Sequence, residues 1–245
     1  MAAAYCAGLK EKIASIRYGL GGFLAIVLLP TLILIGQPDL GTLGVICISA
    51  LSVFWVAGAR IRDIALLFVL ALMMLSVLAS FRPYVKDRVV TFFYPAQGQQ
   101  QEGYQIRQSL IAIGSGGLFG RGFGQGIQKF TYLPEPMGDS IFAVAGEELG
   151  FAGSVTLVLL YLAVALRGFH IATRVSESFA RFVAAGISTY LVIEAFINIA
   201  SMLGVAPLTG IPLTFVSQGG SAMLISLLSA GILLSISRTR AQKRS

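Results

Sequence analysis

Long apolar runs alternate with short polar connections along most of the chain. Six runs have about the length that a helix needs to cross the hydrocarbon core of a bilayer. Helices are the default there, because every backbone group must be paired internally. We therefore expect an all-α integral membrane protein, with a single polytopic domain over residues 1–245. The predicted spans are Tyr18–Gly36, Thr42–Gly58, Ile64–Ser80, Phe151–Leu166, Val183–Gly204 and Ala222–Ser237.

The composition supports the membrane assignment. Hydrophobic residues make up 56% of the chain, charged residues only 12%, and the mean hydropathy is +0.82. A soluble domain carries about 25% charged residues. The net charge is +7, but the basic residues flank apolar runs and form no basic face, which argues against nucleic-acid binding. Cys6, Cys47 and the single histidine, His170, have no metal-ligand spacing and cannot form a Ser/His/Asp triad.

Basic residues fall on alternate connections, and this predicts the orientation of the chain. By the positive-inside rule these connections face the cytoplasm, so both termini are cytoplasmic. The acidic residues of the other connections agree with this assignment. The basic residues concerned are Lys10, Lys12, Arg17, Arg60, Arg62, Arg167, Arg174, Arg181, Arg238, Arg240, Lys243 and Arg244.

One outer connection, residues 81–150, is much longer than the others, and its length favours a functional role. Phe81–Gly103 is polar and aromatic. Tyr104–Gly117 is semi-apolar and too short to span, so it is predicted to be an interfacial or re-entrant helix. Next comes a run rich in glycine, GLFGRGFGQGIQKF (117–130), whose residues 117–127 are here called the glycine loop.

The glycine loop allows two interpretations. It is either a flexible loop at the membrane surface or a bend that brings a lipid diphosphate close to Arg121 and Lys129. The sequence argues against a dinucleotide or Walker site, because such sites need a preceding strand and a βαβ unit, and the pattern predicts neither.

Carboxylates follow the glycine loop. Asp139 precedes an apolar run, so it is either a helix N-cap or a general base or cation ligand at the membrane surface. A helix N-terminus would favour its ionised form, whereas burial or the neighbouring Glu135, Glu147 and Glu148 would raise its pKa. Glu147 and Glu148 lie about two helical turns further on, so one of them can share the face of Asp139.

Polar residues also occur within and between the spans. Glu194 lies in the middle of the fifth span, with Asn198 one turn later on the same face. Structural hydrogen bonding is favoured over chemistry for Glu194, although an ionisable group at that depth can mark a functional site. The turn at residues 207–221 is rich in proline and glycine, and such backbone near the membrane must be buried or line a cavity. Asp39 is predicted to cap the second span.

Four ordered stretches resemble the SEDS family of bacterial elongation and division proteins. They read QPDLGT (37–42), GYQIRQSLIAIGSGGLFGRGFGQG (103–126), QKFTYLPEPMGDSIFAVAGEELGFAG (128–153) and FINIASMLGVAPLTGIPLTFVSQGGSA (196–222). The wording GLFGRGFGQGIQKFTYLPE is more similar to the FtsW branch than to the RodA branch. The family fold has about ten spans, and the chain resembles its C-terminal six. It is accordingly a partial reading frame, a truncated homologue or a genuine short form.

The resemblance implies a peptidoglycan glycosyltransferase of the bacterial inner membrane, which polymerises undecaprenyl-linked lipid II into glycan strands. It implies that Asp139 is the catalytic residue that activates the acceptor hydroxyl. It also admits a divalent cation, Mg²⁺ or Mn²⁺, with Asp139 as a ligand. The expected partners are a class B penicillin-binding protein and other divisome or elongasome membrane proteins. A lipid II flippase and a non-catalytic divisome scaffold are the alternatives.

The matching stretches also carry the remaining candidate residues. At two points the wording departs from the family pattern: Gly138 and Ser140 replace the usual Thr and Phe around Asp139, and Gln218 replaces the usual Tyr. Expected contacts to the diphosphate or glycan are Lys129, Arg121, Glu135, Gln108, Ser109, Ser217, Gly219 and Gly220; expected supporting residues are Glu147, Glu148, Asp39 and Glu194.

Overall fold

The computed structural model describes residues 1–9, 12–13, 15–94 and 100–242, and all the regular secondary structure in these ranges is helical. Lys10, Lys243 and Arg244, which were used to predict the orientation, lie outside the described residues, as does part of the polar segment Phe81–Gly103. A π-helical turn, Ile16–Leu20, leads into α2. The helices are α1 (Ala2–Leu9), α2 (Gly21–Gly36), α3 (Leu40–Val56), α4 (Ile61–Phe81), α5 (Pro83–Phe93), α6 (Gln100–Ser115), α7 (Gln128–Thr131), α8 (Ile141–Arg174), α9 (Ser178–Met202) and α10 (Gly220–Gln242).

Five helical segments of the described chain are long and apolar enough to cross a membrane: Ile16–Gly36, Ile61–Phe81, Ile141–Arg174, Ser178–Met202 and Gly220–Arg238. The all-α membrane fold is therefore confirmed. The exact count of six spans is not, because the second predicted span forms a helix of only 17 residues, Leu40–Val56. The division into one domain stays a prediction.

Helix boundaries differ from the predicted spans where hydropathy marks the edge of a bilayer and not the end of a helix. Arg167 and His170 were placed in a connecting loop, but α8 continues to Arg174. A helix satisfies its own backbone and can therefore extend beyond the apolar layer. At the other end, α8 begins ten residues before Phe151, and a kink at Gly150 (φ 68°, ψ −164°) separates this N-terminal part from the predicted span.

The predicted long connection is itself mostly helical. Pro83 starts α5, where its fixed φ suits the first helical turn and its missing N–H costs nothing. The predicted helix Tyr104–Gly117 is confirmed as α6, Gln100–Ser115. Asp39 caps α3 as predicted, since the Thr42 N–H donates to its Oδ1 at 2.9 Å.

By packing, the chain divides into two compact units. The first comprises residues 1–75, 164–193 and 225–245, and its core includes a stacked pair, Phe23 and Phe54, with ring centroids 4.6 Å apart. The second comprises residues 76–163 and 194–224. Its cores include Ile106, Phe142, Met202 and Leu213, and it holds Asp139 and the glutamates considered below.

Candidate active site

Asp139 lies at the end of a tight turn, two residues before α8. The carbonyl of Glu135 accepts hydrogen bonds from the Gly138 and Ser140 N–H groups, at 3.0 and 3.2 Å. Glu135 itself has φ 44°, a conformation that L-residues rarely adopt and that tends to occur at functional sites. The turn therefore presents Asp139 beside the start of α8 without making it part of the helix.

The side chain of Asp139 is half-buried and bound on one oxygen only. Gln105 of α6 donates from Nε2 to Asp139 Oδ1 at 3.2 Å and to Ser140 Oγ at 3.0 Å. The Ser140 hydroxyl donates to the same Oδ1 at 3.4 Å. Among the described residues no hydrogen bond reaches Oδ2. One oxygen is thus held in place, while the other has no hydrogen-bond donor among the described residues.

The surroundings of Asp139 shift the pKa of its carboxyl group in opposite directions. Burial raises the pKa of Asp139 above its ordinary value and the charge of Glu135 raises it further, whereas interactions with Gln105, Ser140 and the backbone N–H of Asp139 itself lower it. The net pKa shift is upward. Of the three glutamates expected to act on Asp139, only Glu135 does so. A raised pKa brings a carboxylate closer to the range in which it is an effective general base.

A proline- and glycine-rich loop, residues 205–219, holds the backbone around Asp139. Asn198 of α9 is fully buried and donates from Nδ2 to the Asp139 carbonyl and to the Ile211 carbonyl, both at 2.7 Å. Ser217 Oγ donates to the Gly138 carbonyl at 2.6 Å, and the Leu213 N–H donates to Ser217 Oγ at 2.7 Å. The loop and the turn are therefore fixed to each other by side chains that donate to main-chain carbonyls.

The expected helix cap at Asp139 is absent from the described hydrogen bonds. Its carboxylate bonds to Gln105 and Ser140 rather than to the first amides of α8. Asp39, in contrast, binds the amide of Thr42. The described bonds do not support the capping interpretation of Asp139, and its chemical role stays a prediction.

Glu147 and Glu148 face the glycine loop and α7. Glu147 accepts from the backbone N–H groups of Ile127 and Gln128 at 3.0 and 3.1 Å. Glu148 accepts from the N–H groups of Gly124 and Gly126 at 2.9 and 3.3 Å. Both glutamates are buried. We call this arrangement, Glu147 and Glu148 with the N–H groups of residues 124–128, the carboxylate clamp.

The two expected diphosphate-binding cations take part in the clamp. Lys129 Nζ lies 2.5 Å from Glu148 Oε1, and Arg121 Nε lies 3.8 Å from Glu147 Oε1. The glycine loop thus directs backbone N–H groups towards anions, as expected of a phosphate cradle, but the anions are the protein's own carboxylates. A diphosphate contact for Arg121 or Lys129 stays a prediction, and it would have to compete with these pairs.

The other expected contact residues have different environments. Ser109 is fully buried and donates to Met202 Sδ at 3.4 Å, which leaves it inaccessible in this structure. Gln108 is half-buried on α6. Gly219 is half-buried and Gly220, the first residue of α10, is exposed. Ser217 acts on the backbone of the turn, as described above.

Glu194 is buried and has a structural partner. The Thr214 hydroxyl donates to Glu194 Oε2 at 3.0 Å, in agreement with the preference for structural hydrogen bonding at this residue.

A metal site built from protein ligands alone is not found in the described part of the chain, which has no group of three or more His, Cys, Asp or Glu side chains suited to one. Asp139 and the exposed Glu135 offer hard oxygen ligands. One or two carboxylates together with substrate phosphates are typical of Mg²⁺ sites. The donor set therefore fits a cation that is shared with a diphosphate substrate.

Comparison with known proteins assigns the chain to a family. Residues 1–242 match the FTSW_RODA_SPOVE family, described as "Cell cycle protein". The chain is a member of this SEDS family. The SEDS chain is 42% identical over 229 residues to stage V sporulation protein E of Bacillus subtilis (strain 168), and the alignment covers 94% of this chain and 63% of that protein.

Two further relatives support the assignment of this SEDS chain. It is 38% identical over 228 residues to the probable peptidoglycan glycosyltransferase FtsW of Geobacter sulfurreducens (strain DL-1 / KN400), covering 93% of this chain and 61% of that protein. A solved structure from work on "Structural coordination of polymerization and crosslinking by a peptidoglycan synthase complex" matches with a TM-score of 0.79 and 28% identity, covering 98% of this chain and 67% of that chain.

The comparisons confirm the family resemblance and the membrane fold. The chain is a multi-pass protein of the bacterial inner membrane. It spans about 63% of the length of the Bacillus subtilis relative. The preference for the FtsW branch and the cytoplasmic location of both termini stay predictions.

Sequence reasoning missed two residues around Asp139, Gln105 and Ser140, and the contact of a third, Asn198. Gln105 was passed over in favour of Gln108 and Ser109, although it lies one helical turn before them on α6. Ser140 was noted only as a departure from the family pattern. Asn198 was singled out as a buried polar residue, but its bond to the Asp139 carbonyl could not be read from the sequence, because the two are 59 residues apart.

Proposed function

We propose that this chain carries the catalytic centre of a peptidoglycan glycosyltransferase that polymerises lipid II. The observation that carries the proposal is the state of the Asp139 carboxylate. Its backbone is held by Asn198, one oxygen is held by Gln105, and the other has no described protein partner. The relatives named as probable peptidoglycan glycosyltransferases supply the reaction class.

Asp139 acts as the general base in this proposal. The acceptor sugar hydroxyl attacks the anomeric carbon of the donor, a new C–O bond forms, and the bond from that carbon to the lipid diphosphate breaks. The hydroxyl proton passes to Asp139 Oδ2, and the electron pair of the broken bond leaves with the diphosphate. General base catalysis of this kind contributes about 10²–10⁴-fold to a rate.

A divalent cation, Mg²⁺ or Mn²⁺, is part of the proposal. When bound, it would neutralise the charge that develops on the leaving diphosphate. Asp139 and Glu135 are the residues that would hold it. Arg121 is the other cationic group that we propose for the diphosphate, because its side chain is more exposed than that of Lys129.

The partners are proposed on the same grounds. The structural relative comes from a peptidoglycan synthase complex that couples polymerisation and crosslinking. We therefore propose a class B penicillin-binding protein as the membrane partner, within the divisome or elongasome. The site faces outward if the positive-inside rule holds, with both termini cytoplasmic.

Polymerisation of labelled lipid II tests the proposal. The chain is assayed alone and as a fusion that supplies the N-terminal helices of the Bacillus subtilis relative, with a class B partner present. Asp139→Asn should lose at least about 100-fold in rate. Its unfolding temperature should not fall, because the amide keeps the bond from Gln105 and removes a buried charge. Equal glycan ladders from both proteins would remove Asp139 from the mechanism.

The same experiment separates the alternatives. A flippase would move labelled lipid II across vesicles at the same rate with aspartate or asparagine at position 139. A scaffold would bind its partner equally well in both forms and make no glycan. Either result, together with an inactive wild-type fusion, would contradict the glycosyltransferase proposal.

A further inference from the structure

The glycine loop and α7 expose large apolar side chains. Phe119, Phe123 and Phe130 are 84%, 88% and 76% exposed. Leu118 is also exposed, on the same stretch. Protein surfaces in contact with water rarely carry apolar patches of this kind, which mark a binding surface for protein or membrane. Either another protein or the lipid bilayer could cover these aromatic side chains.

The backbone of the loop is hydrogen-bonded to the first turn of a membrane-length apolar segment. The N–H groups of Phe151 and Ala152 donate to the carbonyls of Gly117 and Leu118, at 2.9 and 3.0 Å. Phe151 directly follows the kink in α8, where the predicted fourth span begins. Leu118 and Phe119 therefore lie at the depth at which α8 enters the apolar layer, and this places them at the edge of a bilayer.

Most backbone N–H groups of the glycine loop are already hydrogen-bonded within the protein, which lowers the cost of moving the loop into lipid. The backbone N–H groups of residues 120–122 and 124–127 all donate within the protein, four of them to main-chain carbonyls and three to the carboxylate clamp. The two clamp carboxylates are balanced by Arg121 and Lys129. Unpaired backbone groups and unbalanced charges are what make a loop costly to bring into lipid. Here, both costs are reduced inside the protein.

We propose that the glycine loop is a membrane-interface anchor, which inserts Phe119 and Phe123 into the boundary between headgroups and acyl chains of the bilayer. Aromatic side chains are enriched at that boundary. The carboxylate clamp fixes the loop in the conformation that presents them. The anchor holds the segment leading to Asp139 at the membrane surface, but its existence does not depend on the reaction that Asp139 performs.

Tryptophan fluorescence in lipid nanodiscs tests the anchor. The chain has a single tryptophan, Trp55, so Trp55→Phe provides a silent background for Phe123→Trp and Phe119→Trp. Both new tryptophans should emit at shorter wavelength than Ser176→Trp, which lies in the connection between α8 and α9. Phosphatidylcholine brominated near the headgroup end of its acyl chains should quench them several-fold more strongly than it quenches Ser176→Trp.

Two outcomes would overturn the proposal. Long-wavelength emission quenched by acrylamide would place the aromatic positions in water. Short-wavelength emission without quenching by brominated lipid would mean that protein covers them. The use of two independent positions keeps the test valid if one variant fails to fold, and far-ultraviolet circular dichroism checks each. None of these readouts requires glycan synthesis, so failure of the proposed enzyme activity is distinguishable.

Two further measurements test the mechanism of anchoring. Glu148→Ala in the Phe123→Trp background should weaken the quenching by brominated lipid, and unchanged quenching would remove the clamp from the proposal. Because the clamp charges balance, quenching should be insensitive to salt and to the fraction of anionic lipid. A strong loss of quenching at high salt would show electrostatic attachment instead and would overturn insertion of the aromatic side chains.

Discussion

Asp139 lies within ten residues of Glu147 and Glu148 in the chain, but the environments of their carboxylates differ. The carboxylates of Glu147 and Glu148 are held by four backbone N–H groups and two cations. Asp139 is half-buried, has a raised pKa and keeps one oxygen without a described partner. Acidic side chains on one short segment can thus have different roles. Carboxylates saturated with donors stabilise a loop, whereas one held by a single oxygen can accept a proton.

The largest effect on stability is expected at the carboxylate clamp. Glu147→Ala removes the buried carboxylate that accepts from the part-buried N–H groups of Ile127 and Gln128, and each N–H left without an acceptor costs about 1–3 kcal/mol. The free energy of unfolding in mixed micelles should therefore fall by about 2–6 kcal/mol. Glu135→Ala, which removes an exposed carboxylate from the preceding turn, is the matched control and should change it by about 0.5 kcal/mol or less. Equal losses would contradict the distinction between the two environments.

A smaller loss is expected from a glycine that contacts the clamp backbone. Gly120 has φ 79°, and a Cβ there would overlap the carbonyl oxygen of Glu148. Gly120→Ala should lower the free energy of unfolding by about 1–3 kcal/mol. Gly114→Ala in α6 meets no atom within 4 Å and should be neutral or stabilising by up to about 1 kcal/mol. Thermal unfolding of both variants in one detergent checks the pair, and a stable Gly120→Ala protein would show that the loop is not held there.

The smallest effect is expected at Gln105, whose side chain donates to the Asp139 carboxylate. Its hydrogen bond lowers the pKa of Asp139, so Gln105→Leu should raise that pKa further. Because the ionised carboxylate is the active base, the acid limb of the pH–rate profile should move to higher pH. Polymerisation should fall a few-fold below the midpoint and much less on the plateau. Gln108→Leu, one turn further on α6, should leave the limb in place, and an equal loss at every pH would indicate a merely structural role for Gln105.

Much of the fold follows from local sequence. Apolar runs of membrane length, the Asp39 cap and the short helix before the glycine loop were all predicted correctly, because each depends on residues close together in the chain. Boundaries such as the helical Arg167 and His170 were wrong, since hydropathy reports the apolar layer and not backbone hydrogen bonding. The kink at Gly150 also could not be placed by hydropathy alone.

The site was predictable in part. The resemblance to the family motif singled out Asp139, but it did not show which residue holds one of its carboxylate oxygens. Gln105 reaches it from another helix, and its choice over Gln108 depends on the rotation of α6 about its axis. The carboxylate clamp joins residues about twenty positions apart in the chain, so the sequence alone could suggest only that Glu147 or Glu148 shared a face with Asp139.

The pH dependence of lipid II polymerisation tests the central claim most directly. Burial raises the pKa of Asp139, and the base must be ionised to accept the hydroxyl proton. The wild-type rate should therefore fall as the pH drops, with a midpoint above the ordinary carboxyl pKa of 3.8, and Asp139→Asn should show a low rate without this limb. A wild-type limb that persists unchanged in Asp139→Asn would contradict the account, because another group would then be the proton acceptor.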